Sequence, residues 1–181
     1  MRMMTLSTCL RVGFLRGINF GGFVPIIFSG KELLEIVIQI EKNGFAFYSQ
    51  VTPKVADGRA RELIEWLAQE EKRHIGRFGE MLSRLGAEEL NMSPAEIEEY
   101  TLYLKALADG RVFTSENQAN EAALGIKSEK DAIGMAIEFE KDSILFLHGM
   151  KLLINKSDIA AVDELVREEM MHLKKLLELK G

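Results

Sequence analysis

Two short motifs carry the side chains of this sequence that are best suited to chemistry. Each is a glutamate followed three positions later by a histidine: Glu71 with His74, and Glu169 with His172. Residues three apart on an α-helix are separated by about 60° around its axis and about 4.5 Å along it. Both side chains of a motif can therefore reach one point, where a carboxylate and an imidazole would bind a transition metal ion.

Both motifs belong to an internal repeat. The segment IEKNGFAFY aligns with FEKDSILFL and pairs Glu41 with Glu140, which lie 99 residues apart. EEKRHIGRF aligns with EEMMHLKKL at an offset of 98 residues. The chain has three histidines, and two of them occupy matching places in the repeat, so two chance surface motifs are a poor explanation. Each half would be a helical hairpin that buries its apolar stripe only against the other half.

Four long helices are predicted to position these residues. Apolar residues at helical spacing begin at Ser29 and stop before Pro53, and a second helix ends near Gly86. A third helix begins near Ser128 and runs through residue 153, and a fourth covers residues 158–180. Short turns within each pair and one long crossover between the pairs predict an all-α, ferritin-like four-helix bundle.

The remaining segments are an N-terminal arm and the crossover. Residues 1–28 have no clear helical period and form the predicted arm, which leaves residues 29–181 for the bundle. The crossover covers residues 87–128. Within it, Ser93, Pro94 and Glu96 predict the start of a short helix over residues 94–107. A polar segment with Asn117 follows.

The glutamates of the repeat fall within the apolar stripes of their helices. Leu67 and Phe78 flank the first motif on one face, and Leu165 and Leu176 flank the second. Several carboxylates in one apolar core are implausible without compensation, because buried charges are costly and like charges repel. Two divalent cations would cancel four carboxylates. The predicted ligands are Glu41, Glu71, His74, Glu140, Glu169 and His172. This sulfur-free set favours iron or manganese.

Other residues near the predicted ligands are expected to have structural roles. Tyr48 lies two turns after Glu41 on the same face, where it packs in the core or contacts the metal ligands. Trp66 is expected to pack, and His148 to lie at the surface or rim. Three glutamates next to the ligands in sequence are expected to point elsewhere: Glu70, Glu138 and Glu168.

Composition excludes several classes of function. The formal net charge of −5 and the absence of a basic stretch speak against nucleic acid as a partner. The one cysteine, Cys9, excludes a disulfide framework and a thiolate-built metal site within the chain. Arg11 and Arg16 interrupt what would be the apolar part of a signal peptide, and no apolar run is long enough to span a membrane. We therefore expect a cytoplasmic protein, and a homodimer is the default expectation for such a bundle.

The order of EKNGFAFY, EEKRH, EFEKDS and EEMMH resembles the rubrerythrin-like branch of the ferritin-like superfamily, over roughly residues 29–180. The resemblance implies a non-haem di-iron centre held by the six predicted ligands. It also implies reduction of hydrogen peroxide or oxygen. Full rubrerythrins carry a further Glu one turn after the third-helix ligand, where this chain has Ser143. They also carry a rubredoxin domain with paired CxxC motifs, which this sequence lacks, so electrons are expected from a separate donor such as a rubredoxin-type protein.

The leading hypothesis is therefore an enzyme, a di-iron peroxidase or oxidase. Two iron ions are the expected cofactors, with manganese or a mixed pair as the alternative. An iron-binding or ferroxidase protein without peroxide turnover is the second hypothesis, and a ferritin-like hydroxylase is a further enzymatic one. A metal-free helical scaffold or partner-binding module, with its glutamates facing solvent, is the non-enzymatic alternative.

Overall fold

A computed structural model describes residues 30–84, 93–109, 115–154 and 156–180. The described chain is almost entirely helical. Its α-helices are α1 (Gly30–Val51), α2 (Gly58–Arg84), α3 (Pro94–Asp109), α4 (Glu116–Gly125), α5 (Glu129–Met150) and α6 (Lys156–Lys180). A short 3-10 helix, Thr52–Lys54, follows α1. The predicted arm, residues 1–28, lies outside the described residues.

Local sequence determines where several helices begin. The Asp57 carboxylate accepts a hydrogen bond from the backbone N–H of Ala60 at 2.9 Å and caps α2. Ser128 caps α5 by accepting from the N–H of Asp131 at 3.2 Å. Capping side chains satisfy N–H groups that have no partner within the helix. The reciprocal bonds of Ser93 and Glu96 start α3 at the predicted place.

The four long helices form the predicted bundle. Helix α1 packs against α2, and α5 packs against α6, so each pair is an antiparallel hairpin. The pairs meet through contacts of α1 with α5 and of α2 with α6. Large apolar side chains from all four helices fill the core between them: Phe47, Tyr48, Phe78, Phe146, Ile64, Leu67, Ile137, Leu147, Leu165 and Leu176.

The crossover differs from the sequence-based expectation. Helix α3 is present and ends two residues later than predicted, but a second helix, α4, replaces the predicted polar segment. Ser115 caps α4 by accepting from the N–H of Gln118 at 3.3 Å. Helix α4 packs on α1 and buries Ala119 and Ala123 completely. Small alanines give a weak apolar period, so tertiary packing rather than local pattern stabilises this helix.

The second hairpin also differs at its turn. Helix α5 ends at Met150, three residues before the predicted end, and α6 begins at Lys156, two residues before the predicted start. Such shifts are common at helix ends. None of the helices in the described part of the chain is long and apolar enough to cross a membrane.

Candidate metal centre

The four long helices deliver the six predicted ligands to the middle of the bundle. Helix α1 provides Glu41, and α2 provides Glu71 and His74. The repeat supplies the equivalent residues from the second hairpin: Glu140 from α5, and Glu169 and His172 from α6. Every one of these side chains is at most 1% exposed. The scaffold hypothesis required glutamates that face solvent, and the structure contradicts that requirement.

The six residues form two groups of three. In one, ligand atoms of Glu41, Glu71 and His74 lie within 4.8 Å of one another, and Glu140, Glu169 and His172 form the other. Each group comes from one hairpin, so the repeat in the sequence is a repeat of half-sites. We call these the first and second half-sites.

Glu169 joins the two half-sites. Its Oε1 lies 2.7 Å from His74 Nδ1, and its Oε2 accepts a hydrogen bond from His172 Nδ1 at 3.0 Å. The two imidazole rings are stacked, with centroids 5.5 Å apart and planes 14° apart. In both histidines, Nδ1 faces the carboxylates. One oxygen of Glu169 therefore faces each half-site, so this carboxylate could contribute to holding both ions.

Several ligand atoms have no hydrogen-bond partner despite complete burial. They include both oxygens of Glu41 and one oxygen each of Glu71, Glu140 and Glu169. The short contact between Glu169 Oε1 and His74 Nδ1 has an ion-pair distance without hydrogen-bond geometry. Leaving such atoms unpaired in a core costs several kcal/mol each by rough transfer scales. Two divalent cations would satisfy the oxygens and offset the charge, so the residues present fit a pair of metal ions.

The carboxylates show the electrostatic cost of gathering acids in the core. Burial, followed by the nearby charge of Glu41, raises the pKa of Glu71 well above its usual value. Burial and the charge of Glu169 raise the pKa of Glu140 to about 8. Burial also acts to raise the pKa of Glu169, but the hydrogen bond with His172 and the close contact with His74 outweigh it and hold this pKa well below the usual range. Glu169 thus stays ionised, which suits its position between the two half-sites.

Burial acts on the pKa of each histidine in the direction opposite to its effect on the carboxylates, but neighbouring carboxylates outweigh it. Burial lowers the pKa of His74, but contacts with Glu169 and Glu41 outweigh it and raise the pKa to about 11. Contacts with Glu140 and Glu169 likewise outweigh burial and raise the pKa of His172 to about 9. Without metal, protons therefore compensate the carboxylate cluster. A metal ion must displace those protons to bind.

Tyr48 contacts the second half-site directly. Its hydroxyl donates to Glu140 Oε1 at 2.6 Å, and the ring is completely buried. Burial and the charge of Glu140 raise the pKa of Tyr48 well above 10, so its hydroxyl stays a donor. The sequence left two alternatives for Tyr48, core packing and contact with the ligands. The structure shows both, because the Tyr48 ring also packs edge-on against Phe139, with ring centroids 6.0 Å apart.

The outer nitrogen of His74 has a carboxylate partner. His74 Nε2 lies 3.0 Å from Glu168 Oε2, at hydrogen-bond distance. Arg77 Nη1 donates to Glu168 Oε1 at 2.8 Å, and Arg73 Nη2 donates to Oε2 at 3.1 Å. Burial alone would raise the pKa of Glu168, but Arg77 and His74 outweigh it and lower the pKa. The prediction that Glu168 points elsewhere was wrong.

Glu70 lies on the corresponding side of His172 but at a greater distance. Its Oε2 is 3.9 Å from His172 Nε2, and it forms an ion pair with Arg73. Glu70, His74 and His172 make up a third group of close ligand atoms, which shares both histidines with the half-sites. Trp66 packs edge-on against His172 at 5.0 Å, and Lys175 Nζ lies 4.6 Å from the centre of the Trp66 ring. Trp66 therefore packs, as predicted, but against a predicted ligand.

Gly44 allows α1 to approach the site closely. A Cβ atom at this position would lie 2.4 Å from Phe139 Cε1 and 3.0 Å from Glu71 Cδ. Phe139 precedes Glu140 on α5 and is only 3% exposed. No side chain larger than hydrogen fits here without moving the Phe139 ring or the Glu71 carboxylate.

Ser143 lies in the core, and Glu138 and His148 lie on the surface. Ser143, where the resemblance implies a further Glu, is buried, and its Oγ has no hydrogen-bond partner. Glu138 is exposed and pairs with Lys141, and His148 is exposed, both as predicted.

Sequence reasoning missed Glu70, Glu168 and Gly44. The doubled glutamate that opens both EEKRH and EEMMH was a signal for the first two, because the repeat preserves it.

The rubrerythrin family model matches residues 32–180, most of the chain. This chain belongs to the rubrerythrin family. A crystal structure of a Thermotoga maritima protein described as ferritin-like and diiron-carboxylate matches with a TM-score of 0.59 at 22% identity. The match covers 85% of this chain and 95% of that chain. No curated protein is similar enough to this chain to count as a match.

Membership of the rubrerythrin family and the structural match confirm the ferritin-like fold predicted from the sequence. In this rubrerythrin-family chain the buried Glu and His clusters are a candidate metal centre.

Proposed function

We propose that this rubrerythrin-family chain is a non-haem di-iron oxidoreductase that reduces hydrogen peroxide or oxygen. The observation that carries the proposal is the pair of half-sites joined by Glu169. Two adjacent positions with oxygen and imidazole donors, and no thiolate, suit two iron ions or, as the alternative, manganese. When bound, such a pair supplies two electrons and Lewis acidity to an oxygen-containing substrate.

The protein residues would hold the two ions, orient one ligand and exclude water. Glu41, Glu71 and His74 would hold one ion, and Glu140, Glu169 and His172 the other. Tyr48 orients the Glu140 carboxylate by donating to one of its oxygens. The surrounding apolar core excludes water, which strengthens every electrostatic interaction inside the site.

The depth of the site supports a small substrate. All six proposed ligands are at most 1% exposed, so a bulky organic molecule would reach them only after the helices separate. Hydrogen peroxide and oxygen are small enough to reach a packed core through local fluctuations. This favours a peroxidase or oxidase over a hydroxylase.

Electrons must also be supplied. The sequence has one cysteine, so it does not itself contain a four-thiolate iron site. We therefore propose a separate redox protein, such as a rubredoxin-type protein, as the electron donor. A homodimer in the cytoplasm remains the proposed setting.

Rapid mixing of the ferrous protein with peroxide, without oxygen, tests the proposal. Iron oxidation should be at least about tenfold faster than for free ferrous iron, a difference of about 1.4 kcal/mol in barrier. His74→Ala should abolish the acceleration, and His148→Ala, which changes the exposed histidine, should retain it. Rapid oxidation by oxygen without acceleration by peroxide would favour a ferroxidase instead. Failure to bind iron or manganese would refute every enzymatic form of the proposal.

A further inference from the structure

The outer nitrogens of the two site histidines have different surroundings. His74 Nε2 is 3.0 Å from Glu168 Oε2. His172 Nε2 is buried without a hydrogen-bond partner, and the Glu70 oxygen nearby is 3.9 Å away. The half-sites are therefore related by the sequence repeat but differ in how each imidazole is held.

Glu168 is itself held from two sides. Arg77 Nη1 donates to its Oε1 at 2.8 Å, and Arg73 Nη2 donates to its Oε2 at 3.1 Å. A second bond from Arg77 Nη2 to Glu164 Oε2 at 2.8 Å fixes the guanidinium. Charge-assisted bonds of this kind are stronger than neutral ones. The carboxylate that faces His74 thus has a defined position.

A fixed carboxylate determines which nitrogen of His74 is free to bind metal. An ionised carboxylate only accepts hydrogen bonds, so Nε2 must carry the hydrogen. Nδ1 is then the nitrogen that must lose its proton to bind a metal ion, and it lies 3.4 Å from Glu41 Oε2 and 2.7 Å from Glu169 Oε1. His172 lacks this arrangement, because its Nε2 has no hydrogen-bond partner and its Nδ1 instead donates to Glu169 Oε2 at 3.0 Å. An outer carboxylate partner typically changes metal affinity by about 10–100-fold.

We propose that the two metal positions are unequal and that the first half-site, Glu41, Glu71 and His74, fills first. Glu168 is the positioning residue that makes it tighter, and Arg73 and Arg77 hold Glu168 in place. This inference rests on the proposed function, because it requires that the centre binds two ions.

Metal titration of the metal-free chain tests the inference. Cobalt(II) added under equilibrium dialysis should bind in two steps of different affinity. Glu168→Gln should weaken the first step by about 10–100-fold, and Glu138→Gln should leave it unchanged. Glu138 is the matched control because it is also a carboxylate paired with a basic side chain, Lys141, but it is exposed and belongs to none of the groups of close ligand atoms.

Nitrogen-15 NMR of labelled histidines identifies which position fills first. The first equivalent of zinc(II) should shift the His74 Nδ1 resonance, with the hydrogen on Nε2, before any shift at His172. In Glu168→Gln this order should be lost. A purely structural role for Glu168 would change stability without changing the order of filling.

Failure of the inference is distinguishable from failure of the proposed function. Binding of two ions with equal affinity, filling of the His172 position first, or equal effects of the Glu168 and Glu138 variants would overturn the inference alone. A wild-type chain that binds no cobalt, zinc or iron would overturn both. Helical circular dichroism of each variant establishes that it is folded.

Discussion

Replacement of Gly44 by alanine should destabilise the bundle and disturb the candidate metal centre together. The added Cβ would lie 2.4 and 2.6 Å from two atoms of the Phe139 ring and 3.0 Å from Glu71 Cδ. Contacts below about 3 Å are repulsive. The Phe139 ring is only 3% exposed and packs against Tyr48, so it has little room to yield.

The size of the effect follows from a comparison with a second glycine. Overpacking of a core costs about 1–3 kcal/mol, whereas alanine gains about 1 kcal/mol over glycine in a helix interior. Gly76 is an exposed glycine within α2, and a Cβ there would meet nothing within 4 Å. Gly76→Ala should therefore stabilise the chain. Because both variants share the helical gain, their difference in the free energy of unfolding isolates the overpacking cost of about 1–3 kcal/mol.

Urea unfolding of both metal-free variants measures this difference. The same samples should then be loaded with iron without oxygen, since displacement of Glu71 should weaken metal binding in Gly44→Ala only. Equal stability and equal metal content in the two variants would refute the reasoning, because it would mean that α1 does not approach Phe139 and Glu71 as the structure shows.

Three further predictions concern the site and the crossover. Tyr48→Phe removes the 2.6 Å bond to Glu140 and should cost about 1 kcal/mol of stability while two ions still bind; loss of metal in this variant would contradict an orienting role. For the metal-free chain, the folded pKa of Glu140 is raised from 4.5 to about 8 and that of His172 from 6.5 to about 9. Each group contributes stability that is fully present below its unfolded pKa and is lost as the pH rises through its folded pKa, so thermal stability should fall from about pH 4.5 to pH 9. The metal-loaded chain should not show this fall, because ions replace the protons. Gly149→Ala places a Cβ 2.8 Å from Leu104 Cδ2 and should destabilise the packing of α3 on α5 by about 1–3 kcal/mol. Backbone hydrogen exchange should then be faster in α3 and unchanged in the other helices. Unchanged protection of α3 would contradict the prediction.

The sequence alone determined the four long helices and the grouping of the six candidate ligands. Helical periodicity is a local property, and the near-constant offset of the repeat places Glu41 and Glu140, Glu71 and Glu169, and His74 and His172 in equivalent positions. The start of α3 at Ser93 and Pro94 was also predictable, because capping chemistry depends on neighbouring residues.

Tertiary structure decided what depends on contacts between helices. Helix α4 has little amphipathic pattern, and it forms against α1 through Ala119 and Ala123. The partner of the His74 outer nitrogen lies on a different helix, 94 residues along the chain. No periodicity could assign Glu168 to His74, or show that Glu70 stays 3.9 Å from His172. A repeat specifies which residues are equivalent, but the packing of side chains between the hairpins makes the two half-sites different.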